Sequence, residues 1–221
     1  MAEKMKLTIK PFGFMDLLNF KNLVPDRKKR FASASTAPLD TAPPMNLLAG
    51  RLHPVRQYLA VEEVREEAPG VKTFRLVPDK SRGTSELAYF RAGQYLSLKI
   101  DIDGVTVTRP YSISSAPHES LSGYYTITVK KQESGFVTDH IFDTWKKGTP
   151  VVSSGPEGHF YYEELRDMDR IVGIAGGCGI TPFMSMARQF SREGFPVDFV
   201  LLYGCNTMSE VIFRDELKEI E

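Results

Sequence analysis

The segment Arg109-Pro-Tyr-Ser-Ile-Ser-Ser115 closes a strand-like run that starts at Val105 and leads into a turn. Between Arg109 and Ser112 it places a guanidinium suited to bidentate phosphate binding, an aromatic ring able to cover a flat ligand, and a hydroxyl donor. Those are the parts a flavin dinucleotide needs. Taken singly, Arg109 serves equally as a surface ion-pair partner, Tyr111 as a core aromatic and Ser112 as a turn residue.

Working outward, Tyr58 to Val64, Lys72 to Val77, Gln94 to Ile102, Val105 to Ser114 and Tyr124 to Lys131 read as strands separated by turn-rich segments. Asp103-Gly104 between two alternating runs signals a hairpin, with Gly supplying the positive φ such a turn requires. Strands at this spacing predict a closed or nearly closed antiparallel barrel. Between Gly135 and Trp145 the spacing of Val137, Ile141 and Phe142 predicts a helix.

After Gly158 the period changes. Ile171 to Ala175 reads as a short buried strand, Thr181 to Arg192 as a helix, Val197 to Tyr203 as a second strand and Glu210 to Ile220 as a second helix. This βαβα order begins an open parallel sheet. The fold class is therefore β plus α/β, an antiparallel barrel over 53–160 followed by the first part of a parallel-sheet nucleotide-binding domain over 161–221.

Two further segments carry chemistry. In Lys130-Lys-Gln-Glu-Ser-Gly-Phe-Val-Thr138 a strand leads into a helix that begins near Gly135, where open backbone amides and the helix dipole favour an anion and Thr138 adds a hydroxyl. Pyrophosphate suits such a place, although a glycine-containing strand-to-helix turn occurs in any fold. In Gly173-Ile-Ala-Gly-Gly-Cys-Gly-Ile-Thr-Pro182, Gly176, Gly177 and Gly179 allow close backbone approach, while Thr181 is expected to cap the next helix with Pro182 in its first turn. The run departs from G-x-G-x-x-G by a proline at the last position.

Bulk properties narrow the classes. With 221 residues and 42% hydrophobic content the chain can bury a core. Basic and acidic residues number 28 each, so no net field draws it to nucleic acid. Cys178 and Cys205 are too few for a four-ligand zinc or iron-sulfur site and give no disulfide framework, which points to a reducing, cytoplasmic setting. No apolar run reaches the roughly 18 residues of a transmembrane span. His53, His118, His140 and His159 lack metal-ligand spacing, so no metal site is expected.

Residues 1–52 read as an extension and linker. Phe14, Leu17, Leu18 and Phe20 suggest a short apolar helix stopped near Pro25 and followed by Arg27, Lys28, Lys29 and Arg30; Phe31 to Pro44 reads as linker. Such an arm either packs on its own protein or offers a docking segment, with peripheral membrane contact as one form of it.

The order R-x-Y-S-x-x-S, G-x-x-T, GPEGHF from Gly155, GGCGITP, then LLYG with FRDEL resembles the ferredoxin-NADP reductase family over roughly 55–221. The resemblance implies an FAD-binding barrel before a nicotinamide-binding α/β domain. Arg109 would hold the FAD pyrophosphate, Tyr111 would lie along the flavin beside Pro110, and Ser112 would hydrogen-bond near the reactive flavin nitrogen as the catalytic residue. Val129, Gly135, Phe136, Val137 and Thr138 would complete the FAD site. Gly176, Gly177, Gly179 and Thr181 would receive NADH or NADPH.

The implied activity is a flavoprotein oxidoreductase that accepts hydride from NAD(P)H onto FAD and passes electrons to an iron-sulfur or other acceptor protein. A second reading is a non-catalytic, FAD-holding electron-transfer subunit, and a third a structural partner that keeps the barrel without flavin. Cys205-Asn206-Thr207, where an acidic residue or an arginine would select the cofactor, specifies neither, and the lack of an adjacent cation favours NADH although Arg214 is near in sequence. The family continues beyond the equivalent of Glu221, so an incomplete nucleotide half with an unpaired sheet edge and uncovered apolar faces is expected.

Overall fold

The computed structural model describes residues 13, 20, 22–34, 44–192 and 195–221, and it divides into Met1–Ala42 and Pro43–Glu221. The expected helix around Phe14, Leu17 and Leu18 lies outside the described residues, as do residues 35–43 of the expected linker. The first described helix, α1 (Leu23–Ser33), takes in the basic run and extends to Ser33, where linker was expected from Phe31. Pro25 occupies the first turn, whose amides have no intrahelical partner to lose, so the helix continues through Phe31 to Ser33. None of its residues is buried. A second helix, α2 (Pro44–Leu52), begins on a proline and stands where extension and linker were expected.

Strand β1 (Gln57–Ala68) pairs antiparallel with β2 (Val71–Pro78), and β3 (Tyr95–Ile102) with β4 (Val105–Ser112). In β3 the alternation is strict, with Leu96, Leu98, Ile100 and Ile102 all buried. Asp103 and Gly104 both adopt positive φ, 51° and 80°, the backbone of the expected two-residue hairpin. A one-turn helix, α3 (Pro117–Leu121), precedes β5 (Tyr125–Lys130), and α4 (Phe136–Thr144) follows it. The sequence reading missed β6 (Pro150–Glu157), which lies between β3 and β1 in the order β4-β3-β6-β1-β2-β5.

Closure comes from the two outer strands. Ile113 bridges Ile127, and the Ser114 amide donates to the Thr126 carbonyl at 2.8 Å. Irregularities in β1 between Val61 and Glu63 and between Glu66 and Ala68 supply the bending that closure needs. Leu59, Phe74, Leu98, Ile127 and Ile141 fill the interior, with Trp145 meeting Phe74 edge-on at 5.4 Å.

Beyond the barrel, β7 (Arg170–Gly176) and β8 (Asp198–Gly204) pair in parallel, joined by α5 (Thr181–Phe190), and α6 (Arg214–Ile220) follows β8. Gly173 faces α5 so closely that an added Cβ would lie 2.8 Å from Phe183. The opposite face leaves Val172, Ile174 and Leu202 exposed, as expected of strands covered on one side. A second core joins the two parts: Ala68 and Val71, flanking the β1–β2 turn, pack with Ala175, Ile180 and Met184.

Gly93 has φ +105°, and a Cβ there would stand 1.9 Å from the Phe160 carbonyl oxygen. Gly148 is also left-handed, at φ +88°, but has open space around it. Gly148→Ala should therefore cost about 1–2 kcal/mol of backbone strain alone, and Gly93→Ala at least about twice that. Chemical denaturation of both variants checks the ranking; equal losses would contradict it.

Candidate functional site

Arg109, Pro110, Tyr111 and Ser112 lie on β4, whose register pairs them with Leu98, Ser97, Leu96 and Tyr95. Because β4 is an outer strand, Pro110 interrupts no ladder on its open edge. Arg109 is exposed and, among the described residues, donates only from Nη1 to the Thr108 carbonyl at 2.9 Å, which leaves most of its fork open to them. Tyr111 is half-buried against the barrel core. Burial pushes its phenol up, the Arg109 guanidinium pulls it back, and Cys178 adds to the rise. Among the described residues the Ser112 hydroxyl makes no hydrogen bond to the protein.

The turn into α4 is tighter than its sequence suggests. Ser134 has φ 53°, and a Cβ on Gly135 would fall 2.2 Å from Thr138 Oγ1, so glycine is required by packing. Thr138 spends its hydroxyl inside the turn, accepting from the Gln132 amide at 3.1 Å and donating to the Gly135 carbonyl at 3.4 Å. No side chain caps α4, and its opening amides remain available to an anion. Phe136 is exposed at this entrance, whereas Val137 is buried and roots the helix in the barrel; Val129 on β5 is buried too.

In the glycine turn, residues Gly177–Ile180 form a single 3-10 turn between β7 and α5. A Cβ on Gly176, Gly177 or Gly179 would meet nothing within 4 Å, so the turn presents an open backbone surface. Thr181 does not cap α5 as expected. It is the first helical residue, Ile180 holds the cap position, and Thr181 Oγ1 donates to the Cys178 carbonyl at 2.7 Å.

Segments far apart in sequence thus meet. Cys178 Sγ, inside the glycine turn, lies 3.6 Å from the carbonyl of Thr128, the neighbour of Val129 on β5. Lys130 pairs with Glu210 at 3.6 Å across the same seam, a partly exposed contact of little energetic weight. The donor set fits a dinucleotide: an open guanidinium, a free hydroxyl, a half-buried ring, uncapped helix amides and an unobstructed glycine turn.

Sequence reasoning missed Tyr203. Its hydroxyl donates to the Gly177 carbonyl at 3.0 Å and accepts from the Ile212 amide at 3.2 Å, fixing the glycine turn from beneath. Burial is the main cause that pushes this phenol up, so it stays a donor at neutral pH. Ser185 and Arg188 on α5 were missed as well; the signal was their spacing of one helical turn directly after GGCGITP.

Comparison with known proteins matches each half of the chain to a family. The oxidoreductase FAD-binding domain family matches residues 59–162 and the oxidoreductase NAD-binding domain family residues 174–221. The chain is 33% identical over 165 residues to the glycine betaine monooxygenase reductase subunit of Pseudomonas aeruginosa, covering 75% of this chain and 43% of that protein. It is 30% identical over 158 residues to NADH oxidoreductase HCR of Escherichia coli, covering 72% and 46%. The chain thus spans less than half the length of these curated relatives. Among solved structures, phthalate dioxygenase reductase superposes with a TM-score of 0.65 at 28% identity, over 74% of this chain and 48% of that one.

Tyr203→Phe removes one acceptor and one donor at once and leaves the buried Ile212 amide without a partner. A loss of about 1–3 kcal/mol in unfolding free energy is expected, read by denaturant titration. A change below about 0.5 kcal/mol would show that the hydroxyl contacts carry no weight.

Proposed function

We propose, because this chain belongs to the ferredoxin reductase-like family of FAD- and NAD-binding oxidoreductases, that it takes electrons from NADH or NADPH onto FAD and passes them to an iron-sulfur or other redox partner protein. The observation that carries this reading is the contact of the Cys178 turn with the barrel, its Sγ lying 3.6 Å from the Thr128 carbonyl of β5. It sets the open backbone of the nucleotide half against the barrel half that bears Arg109, Tyr111 and Ser112.

FAD, when bound, supplies the conversion of a two-electron donor into single-electron release. The protein's part is binding and orientation. Arg109 offers its unused fork to the pyrophosphate, with the open amides at the start of α4 as the second anion contact, while Gly135 and Thr138 hold the turn that presents them. Tyr111 covers one face of the flavin, backed by the barrel core. Pro110 keeps the outer edge of β4 free, and Val129 with Val137 anchors the two elements on either side of the phosphate turn. Ser112 supplies the hydroxyl for the reactive edge of the flavin. Gly176, Gly177 and Gly179 receive the nicotinamide nucleotide, and Thr181 fixes the turn through the Cys178 carbonyl.

The partner class follows from the relatives. One is a monooxygenase reductase subunit, and phthalate dioxygenase reductase is described as a modular structure for electron transfer from pyridine nucleotides to [2Fe-2S]. Among the described residues no group of three or more His, Cys, Asp or Glu side chains could hold a metal ion. No helix among them is long and apolar enough to cross a membrane.

Calorimetric titration with FAD tests the site. Arg109→Ala with Ser112→Ala removes one charge-assisted and one neutral hydrogen bond, so affinity should fall about 100-fold; unchanged affinity would refute the assignment. In the parent, anaerobic NADH or NADPH should bleach the yellow flavin. Yellow protein that neither nucleotide bleaches would instead favour the electron-transfer subunit. Gly176→Ala is expected to leave stability nearly unchanged, since its φ is −127° and the added Cβ meets no atom, yet to weaken nicotinamide nucleotide binding several-fold; equal binding by both proteins would move the nucleotide away from this turn.

A further inference from the structure

β4 ends at Ser112, and shortly beyond it the carbonyls of Ser114 and Ser115 belong to residues with no exposed surface. A buried carbonyl without a donor is costly. Both donors come from one helix of the other half. Ser185 Oγ donates to the Ser115 carbonyl at 2.6 Å, and Arg188 Nη1 donates to the Ser114 carbonyl. The two side chains stand three residues apart on α5 and so share a face.

Arg188 is held from behind. Its Nε and Nη2 meet Glu216 Oε1 and Oε2 of α6 at 2.6 and 2.7 Å, its guanidinium lies 5.2 Å from the centre of the Phe213 ring, and its side chain is only 14% exposed. On the barrel side, Ser115 Oγ accepts from the Thr126 amide at 3.0 Å and Ser114 Oγ shares a 2.7 Å hydrogen bond with Thr126 Oγ1. An apolar seam would tolerate sliding. Carbonyl-directed hydrogen bonds from a paired, immobilised guanidinium do not, because a shift of one residue along either element leaves buried groups unsatisfied.

α5 begins directly after the glycine turn, and Ser114 follows Ser112 by two positions. We infer that Ser185 and Arg188, with Glu216 behind Arg188, are positioning residues: they lock the helix that carries the nicotinamide turn to the backbone that carries the flavin hydroxyl, and thereby set the separation of the two rings. This rests on the FAD and NAD(P)H reading above. Each nucleotide keeps its own contacts when the lock is lost, so binding survives while transfer slows. A displacement of about 1 Å is enough for a loss of roughly 100-fold.

The test compares the parent with Ser185→Ala/Arg188→Lys, which keeps the positive charge but loses the hydroxyl and the fork, and with Glu216→Gln. In the FAD-loaded proteins, anaerobic stopped-flow reduction by NADH should show a limiting rate about 10–100-fold lower in the double variant. FAD affinity and the NADH concentration for half-maximal rate should stay within about threefold. Glu216→Gln, which keeps one acceptor for the fork, should fall between. Amide hydrogen exchange, which needs no cofactor, should quicken over 113–116 and 181–190 while β1 to β3 keep parental protection. A parental limiting rate, or unaltered exchange at the seam, overturns the inference. So does protection lost throughout the barrel, which would assign these residues to general stability. Should the double variant not fold, Ser185→Ala alone carries the same test with an expected slowing of about threefold or more. Failure of NADH to reduce the parent strikes the functional reading alone, since exchange still decides whether the seam is locked.

Discussion

Peptide groups that leave a sheet ladder inside a protein must find partners elsewhere, and this requirement organises the region after Ser112. Ile113 and Ser114 finish the barrel by reaching across to β5, after which the chain turns away with two carbonyls facing α5. The strand that bears Arg109, Tyr111 and Ser112 is thereby held at its last residues from both sides. Its outer edge remains open to a ligand. Rigidity at the strand's end and openness along its side are the combination that a cofactor held in one orientation needs.

Charge is handled locally in a chain with no net charge. Arg109 stays exposed and, among the described residues, largely unpaired, whereas Arg188 is buried and fully engaged by Glu216, the Ser114 carbonyl and the Phe213 ring. The first state suits a group kept for a mobile anion, the second a structural fastener. The oxidoreductase FAD- and NAD-binding families match segments on either side of this seam, and their boundary at 162 and 174 falls close to the start of β7.

Much of the fold was legible because local signals agreed with tertiary demands. Asp103-Gly104 fixed the β3–β4 hairpin, the alternation in β3 fixed its buried face, and the glycine run separated β7 from α5. β6 was unreadable for a physical reason. Pro150, Gly155 and Pro156 break the pattern of a central strand, yet Pro150 opens the strand and Gly155 leaves room for the Pro54 carbonyl, 2.5 Å from where a Cβ would sit. The candidate residues Arg109, Tyr111 and Ser112 were proposed from their types and order, whereas Tyr203, Ser185 and Arg188 act through backbone carbonyls that residue types alone do not display. Thr181 showed the converse: a residue type correctly noticed, with its hydroxyl turned to Cys178 instead of the helix cap.

The most direct measurement of the central claim is a crystal structure of this chain with FAD. The account requires the pyrophosphate between Arg109 and the first turn of α4, and the flavin against Tyr111 with its reactive edge at Ser112, facing Gly176 to Gly179. Density for the flavin elsewhere, such as the groove lined by Tyr89, Tyr95 and Tyr161, would contradict it.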